Sequence, residues 1–417
     1  MTFAIFIGNS PELGADGIGG ITVAFPVMII LMAIGMLFGI GGTTLFSIRL
    51  GQKKTEDAEK ALGNALMLLV LTGVIATIAG QIFLRPILSL LGASDAILPY
   101  ALEYLRTILF GSVFFLVSMG MNNFIRADGS PKTAMITMFF AAGLNIILDP
   151  ILIFGLNMGM TGAALATILS QAVAMVWVLS YFLGPKSRVK LKRKNLRLEL
   201  AVVSRIASLG LPGALMQLAN SILHVILNRT LLYHGGDIAI SAMGIINSLQ
   251  LLLIMPIIGI NQGAQPIISF NYGARHYGRV KDTAKWAIIA GTVIVLLGYA
   301  VIRLFPVEIV SLFNRDPELL EFSTYALRRW MLLLPVVGFQ VVASNFFQAI
   351  GRYKVATFLT LSRQVVLLIP AILIFSAFRG LDGLLYAAPF SDFFSTLLTG
   401  IWFISGMKRL GREKSSV

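Results

Sequence analysis

Long apolar stretches separated by short polar intervals dominate this chain. They cover approximately 17–46, 61–83, 100–124, 133–154, 160–183, 201–233, 237–268, 286–305, 319–348, 355–377 and 383–406. A helix needs roughly 20 mainly apolar residues to cross a bilayer, so the pattern predicts eleven full spans. A short apolar start, Met1 to Ile7, reads as the tail of one more helix. The first segment lacks the basic n-region of a cleaved signal peptide. The breaks are turn-forming: Arg126-Ala-Asp-Gly-Ser-Pro-Lys132 and Gly184-Pro-Lys-Ser-Arg188 both read as loops.

Composition agrees. Hydrophobic residues make up 57% of the 417 and charged residues 12%, against about 25% charged in a soluble domain. A water-soluble fold of this size has no place to hide so much apolar surface. There is no cysteine, so disulfide and thiol chemistry are excluded. The three histidines, His224, His234 and His276, lack metal-ligand spacing.

The net charge of +14 could point to nucleic acid, but its distribution does not. One set of alternate loops holds Arg49, Lys53, Lys54 and Lys60; Arg126 and Lys132; the run from Lys186 to Arg197; Arg275, Arg279, Lys281 and Lys285; Arg352 and Lys354; and the tail from Lys408 to Lys414. The opposite set holds only Arg85, Arg303, Arg315 and Arg379. The positive-inside rule places the first set and the C-terminus in the cytoplasm of a multi-pass plasma-membrane protein. The basic run 186–199 reads as a solvated linker touching anionic lipid heads, between lobes at 1–185 and 200–417.

The halves repeat with an offset near 221. Asp16 matches Asp237, Gly51 matches Gly273, Tyr104 matches Tyr325, and Gly159-Met-Thr-Gly162 matches Gly380-Leu-Asp-Gly383. The expected fold is an all-α polytopic membrane protein of two pseudo-symmetric six-helix bundles. Parallel repeats of this kind are related by an axis along the membrane normal and should enclose a chamber that opens to alternate sides. The second half's first helix begins near Leu200. Its counterpart would begin about 20 residues ahead of Met1 by the repeat period. The first helix is therefore expected to be truncated, without the counterpart of Pro212.

Ionisable groups at membrane depth are costly and mark function. Asp149 stands in Gly143-Leu-Asn-Ile-Ile-Leu-Asp-Pro150, with Asn145 one helical turn earlier on the same side. Pro150 cannot donate a backbone hydrogen bond and frees a carbonyl there. A carboxylate beside an amide and a free carbonyl can hold a proton or a small hard cation such as sodium; capping of the helix end is the other reading. Asn122, Asn123 and Gln171 are chamber-lining candidates of the first half, or interhelical hydrogen bonds. Gln217, Asn220, His224 and Asn228 follow helical spacing and form one polar stripe suited to a wet chamber. Arg363, Gln364 and Asp392 are further polar residues of the second half, and Arg363 with Asp392 reads as a structural ion pair. Methionines such as Met28, Met32, Met216 and Met243 either pack in the membrane or form an adaptable apolar wall. No phosphate-binding motif, Ser-His-Asp arrangement or metal cluster is evident, so neither an enzyme nor a cofactor is expected.

These residues resemble the multidrug and toxic compound extrusion (MATE) family over nearly the whole chain. The most specific stretches are Asn123 to Lys132, Leu144-Asn-Ile-Ile-Leu-Asp-Pro150 and Gly162-Ala-Ala-Leu-Ala-Thr167, together with Gly41-Gly-Thr-Thr-Leu-Phe-Ser-Ile-Arg-Leu-Gly51 and Leu209-Gly-Leu-Pro-Gly213. The resemblance implies two six-helix lobes in a V and export of cationic or amphipathic drugs in exchange for protons or sodium. It implies that Asp149 and Asn145 match the first-lobe coupling site. Members usually place a second acidic residue in the first helix, whereas the matching region near Phe3 has none. The expected partners are small-molecule substrates and the bilayer, with no nucleic acid, for a protein working as a monomer. The alternative function is a flippase for lipid-linked saccharide, which should be strongly cationic inside. In-span cations here are few: Arg106, Arg205, Arg229, Arg328, Arg329 and Arg363. An ion channel would need a filter-like motif, and none is present.

Overall fold

The computed structural model describes residues 14–91, 95, 97–314 and 316–415. The apolar start at Met1 to Ile7 and the position near Phe3 lie outside the described residues. All regular structure among the described residues is helical. The first part of the chain forms α1 (Gly14–Gly51), α2 (Thr55–Leu90), α3 (Leu98–Phe110), α4 (Ser112–Ala127), α5 (Pro131–Pro150) and α6 (Gly159–Leu183). The remainder forms α7 (Leu200–Gly273), α8 (Tyr277–Leu304), α9 (Pro306–Ser311), α10 (Pro317–Trp330), α11 (Leu334–Ala349), α12 (Tyr353–Leu361), α13 (Ile369–Leu385) and α14 (Ala387–Ser415).

Among the described residues, eight helices are long and apolar enough to cross a membrane, or ten if each bent pair is one span. The 74-residue α7 breaks at Gly236 (φ 63°, ψ −158°), a backbone conformation open to glycine. Each side of that break is long enough for one crossing, so the described residues supply the eleven spans the sequence predicts. Two spans are bent where a straight helix was expected: α3 meets α4 at 56° and α10 meets α11 at 51°. The first bend falls at Gly111, where a Cβ would press into the Ile168 side chain. The second falls just before Pro335, which starts α11. The outer surface is apolar: Ile82, Leu90, Phe139, Trp286 and Phe378 are each more than half exposed. Such a surface suits lipid and not water.

The chain divides into two compact units, one of Met1–Leu50 with Lys54–Gln217, the other of Gly51–Lys53 with Leu218–Val417. In the first, Leu31, Leu84, Leu105 and Leu109 form a core with the small residues Ala24, Ala101, Ala163 and Ala164. The start of α7 packs with this unit through glycines. A Cβ on Gly41 would strike the Ile206 carbonyl, and one on Gly210 would strike the Leu37 carbonyl. Two pairs spaced four apart, Leu37 with Gly41 and Ile206 with Gly210, thus bring the two backbones together, as small residues do in membranes. In the second unit Phe346 packs edge-on against Phe347 and Phe403, with ring centroids 5.4 and 5.3 Å away.

The repeat is written in the backbone. Lys53 (φ 61°) recurs as Arg275 (φ 59°), Gly129 (φ 94°) as Gly351 (φ 78°), and Gly159 (φ 52°) as Gly380 (φ 56°). Left-handed residues are scarce, so three pairs offset by 221 or 222 residues mark a common ancestral layout. Among the described residues each unit also has one π-helical turn, Ile151–Gly155 in the span that starts at Pro131 and Ser362–Leu368 in the span that starts at Tyr353.

Segment 186–199 is not a free tether. Its outward side chains are solvated, as expected, but its inner face is docked on the first unit. Ser187 and Val189 are buried while Lys186 and Arg188 between and beside them are exposed. Asp128 accepts from the Arg188 backbone N–H at 2.9 Å and from the Tyr181 hydroxyl at 2.8 Å. Glu59 takes Lys192 at 2.6 Å and the Asn195 amide at 3.1 Å. Asn64, fully buried, donates to the Arg197 carbonyl at 3.2 Å and accepts from the Glu199 N–H at 2.9 Å.

Two outcomes are expected. Gly210→Val should cost about 3 kcal/mol or more through overpacking, read as a lowered thermal midpoint in detergent. Gly244→Ala, where nothing lies within 4 Å, should be neutral; equal midpoints for the two variants would contradict the close crossing. Asn64→Leu should leave buried backbone groups unpaired at about 1–3 kcal/mol. Trypsin should then cut between Lys190 and Arg197 about tenfold faster or more; cleavage at the wild-type rate would show that the segment is not held there.

Candidate functional site

In the first unit, the C-terminal half of α5 is apolar except at Asn145 and Asp149, which stand four residues apart. Asp149 is 0% exposed. Asn145 Nδ2 donates to its Oδ1 at 3.2 Å, while Oδ2 is buried without a partner. A carboxylate with one bare oxygen in an apolar bundle is costly as an anion. It is therefore a place where a proton or a cation gains most by binding. The helix does not end there. Pro150 is followed directly by the π turn Ile151–Gly155, the looser helical form that recurs at functional sites. The turn closes through Leu156 N–H to the Ile151 carbonyl at 2.9 Å and Met158 N–H to the Leu152 carbonyl at 3.1 Å. Tyr104 on α3 is 3% exposed. Its neighbour Glu103 holds the start of α6, accepting from the Thr161 N–H at 2.9 Å and hydroxyl at 2.7 Å. In sequence Tyr104 stood out only as a repeat marker.

The other first-unit candidates make bonds elsewhere. Asn122, 4% exposed, donates to the Ala134 carbonyl at 3.1 Å and accepts from Arg126 at 2.7 Å. Asn123 accepts from Arg126 at 2.9 Å and donates to the Met119 carbonyl at 3.3 Å. Gln171 accepts from the Ser118 hydroxyl at 2.5 Å. Arg126 was read as a loop cation; it folds back along its own helix onto both asparagines. These bonds join α4 to α5 and α6, the bracing use of polar groups in a membrane.

In the second unit the stripe on α7 is unequal. Asn220 is half-buried, whereas His224 and Asn228 are exposed. Gln217, also half-buried, falls in the first unit. Asn220 Oδ1 accepts from Gln364 Nε2. Beside it, Arg363 Nε and Nη2 each reach Asp392 Oδ1 at 2.8 Å, with the side chains 13% and 6% exposed. The Arg363 carbonyl, freed in the π turn Ser362–Leu368, takes the Ser391 hydroxyl at 2.6 Å. Ser391 gave no signal in sequence, because a single serine in a span is ordinary. Among the described residues no group of three or more His, Cys, Asp or Glu could hold a metal ion.

The sequence profile of the MatE family matches residues 1–151 and 212–374. The chain is 30% identical over 415 residues to the multidrug export protein MepA of Staphylococcus haemolyticus, covering 100% of this chain and 90% of that one. It is 31% identical over 370 residues to MepA of Staphylococcus aureus, covering 89% and 81%. Among solved structures, the MATE multidrug transporter DinF-BH, solved as a complex, superposes with a TM-score of 0.90 at 36% identity, over 97% of this chain and 90% of that one. A multidrug resistance MATE family transporter in an outward-facing conformation superposes with a TM-score of 0.92 at 25% identity, over 99% and 92%.

The ion pair gives a stability test. Arg363→Leu should strand Asp392 and cost about 3–5 kcal/mol, whereas Arg363→Leu combined with Asp392→Leu should recover most of that loss. Thermal midpoints of the single and double variants decide it; additive losses would mean that the two charges do not stabilise each other.

Proposed function

Because the chain belongs to the MatE family, we propose that this multi-pass transporter exports organic cations or amphipathic drugs in exchange for protons or sodium, by alternating access. As a MATE family transporter it is not an enzyme. Drug export is supported by the multidrug export proteins and multidrug transporters it resembles over almost its whole length. The coupling half rests on one observation: Asp149 is wholly buried, with one oxygen on Asn145 and the other bare. A proton fits the bare oxygen directly. Sodium would share the same carboxylate and needs further oxygen ligands, to which the Asn145 carbonyl can contribute by turning its amide. Either ion neutralises a charge that the bundle otherwise holds at a cost, and so changes which arrangement of the helices is favoured.

The test is dye export from liposomes under an imposed proton or sodium gradient, with a cationic rhodamine dye as the probe. Wild-type protein should move the dye under one of the two gradients. Asp149→Asn, which keeps the shape and removes the titrating group, should slow gradient-driven export about tenfold or more and remove its response to pH. Unchanged, pH-dependent export by Asp149→Asn would take Asp149 out of the mechanism.

A further inference from the structure

The second unit holds a polar cluster that ion coupling at Asp149 leaves unused. Its scaffold is the ion pair Arg363–Asp392, braced by Ser391 on the Arg363 carbonyl. The next residue, Gln364, is 4% exposed. Its Nε2 is spent on Asn220 Oδ1, and its Oε1 is buried with no partner. An unmet acceptor in a membrane bundle is unfavourable, and a donor that reaches it gains by binding. The local backbone allows for that use. Gln364 lies in the π turn Ser362–Leu368, where helical hydrogen bonds are looser and side-chain direction shifts with small changes. Its partner Asn220 is half-buried, one turn from the exposed His224 on the same helix.

We propose that the Asn220–Gln364 amide pair is a substrate-reading subsite that selects cations carrying an N–H donor, with Gln364 Oε1 as the acceptor. The pair holds one hydrogen-bond acceptor in reserve, and a protonated amine supplies the missing donor. A quaternary ammonium of the same size and charge cannot. Arg363 and Asp392 are positioning residues: they neutralise each other and fix the turn, so that the neighbouring amide, not a net charge, meets the substrate. Discrimination by an unmet hydrogen bond is sharper than discrimination by one methyl group in an apolar pocket. This inference rests on the cation-export reading above.

The experiment measures KM for export of two probes from liposomes: a dansyl-linked dimethylammonium, which has one N–H, and its trimethylammonium counterpart, which has none. Wild-type protein should favour the dimethyl probe. Gln364→Met, near-isosteric and apolar, should raise KM for the dimethyl probe about tenfold, the worth of one hydrogen bond from a charged donor. It should leave the trimethyl probe within about twofold. Gln364→Glu, which keeps an acceptor, should retain the preference. Asn220→Ala, which leaves the π turn untouched, should reduce it, and so stands in if Gln364→Met does not fold. Equal changes for both probes, no change for either, or a preference for the trimethyl probe would overturn the subsite while leaving export intact. Failure of wild-type protein to move either probe would overturn the export reading and the subsite together.

Discussion

A charge placed inside a lipid-embedded bundle must be answered there, because no water is at hand to do it. The two units meet this constraint in different ways at the same element. In each, the span carrying the π turn holds a charged residue at or beside that turn. In the first unit that residue is Asp149, answered by the Asn145 amide and otherwise left bare. In the second it is Arg363, answered fully by Asp392. A charge with its counter-ion built in has little reason to change state. A charge answered only by a neutral amide is open to a mobile cation. The asymmetry is the electrostatic reason for which ion coupling is proposed at the first unit.

Much of the fold was legible in the sequence because membrane helices announce themselves. Spans read from apolar length reappear as helices that extend further: 61–83 becomes Thr55–Leu90, whose first turn adds Glu56 and Asp57 at the favourable end of the helix dipole. The repeat, found from scattered identities, reappears as paired left-handed residues such as Gly159 and Gly380. The bends at Gly111 and before Pro335 were not read, because an apolar run of the right length gives no sign of direction. The docking of 186–199 was equally invisible. It depends on Glu59 and Asn64, more than a hundred residues earlier, and a basic run looks the same whether free or held.

Candidate site residues divide along similar lines. Asp149 with Asn145 was legible because spacing on one helix fixes a shared face. The pairing of Arg363 with Asp392 could be guessed because two opposite charges in apolar spans have few other options. Asn122, Asn123 and Gln171 were legible as polar but not by role. An amide in a span braces helices or meets a ligand depending on what lies beside it: here Arg126 on the same helix, the Ala134 carbonyl on the next, and Ser118 facing Gln171.

The π turns explain why the spans that carry them hold both charges. A regular α-helix spends every carbonyl on its own ladder. Pro150 removes one donor from that ladder, and the chain continues as the turn Ile151–Gly155. In the second unit the turn begins a few residues before Pro370, and the carbonyl it loosens is taken by Ser391 on another helix. Backbone irregularity is tolerated at membrane depth only where protein or a lined cavity can satisfy it. The first unit keeps its irregular turn next to an incompletely answered carboxylate, so the proposed cation at Asp149 would relieve the electrostatic cost beside an irregular stretch of backbone. In the proposed mechanism, that coincidence is how a small ion would act on helix geometry. In the second unit the same turn is tied by Ser391 and the ion pair, and the Gln364 amide beside them is held on Asn220.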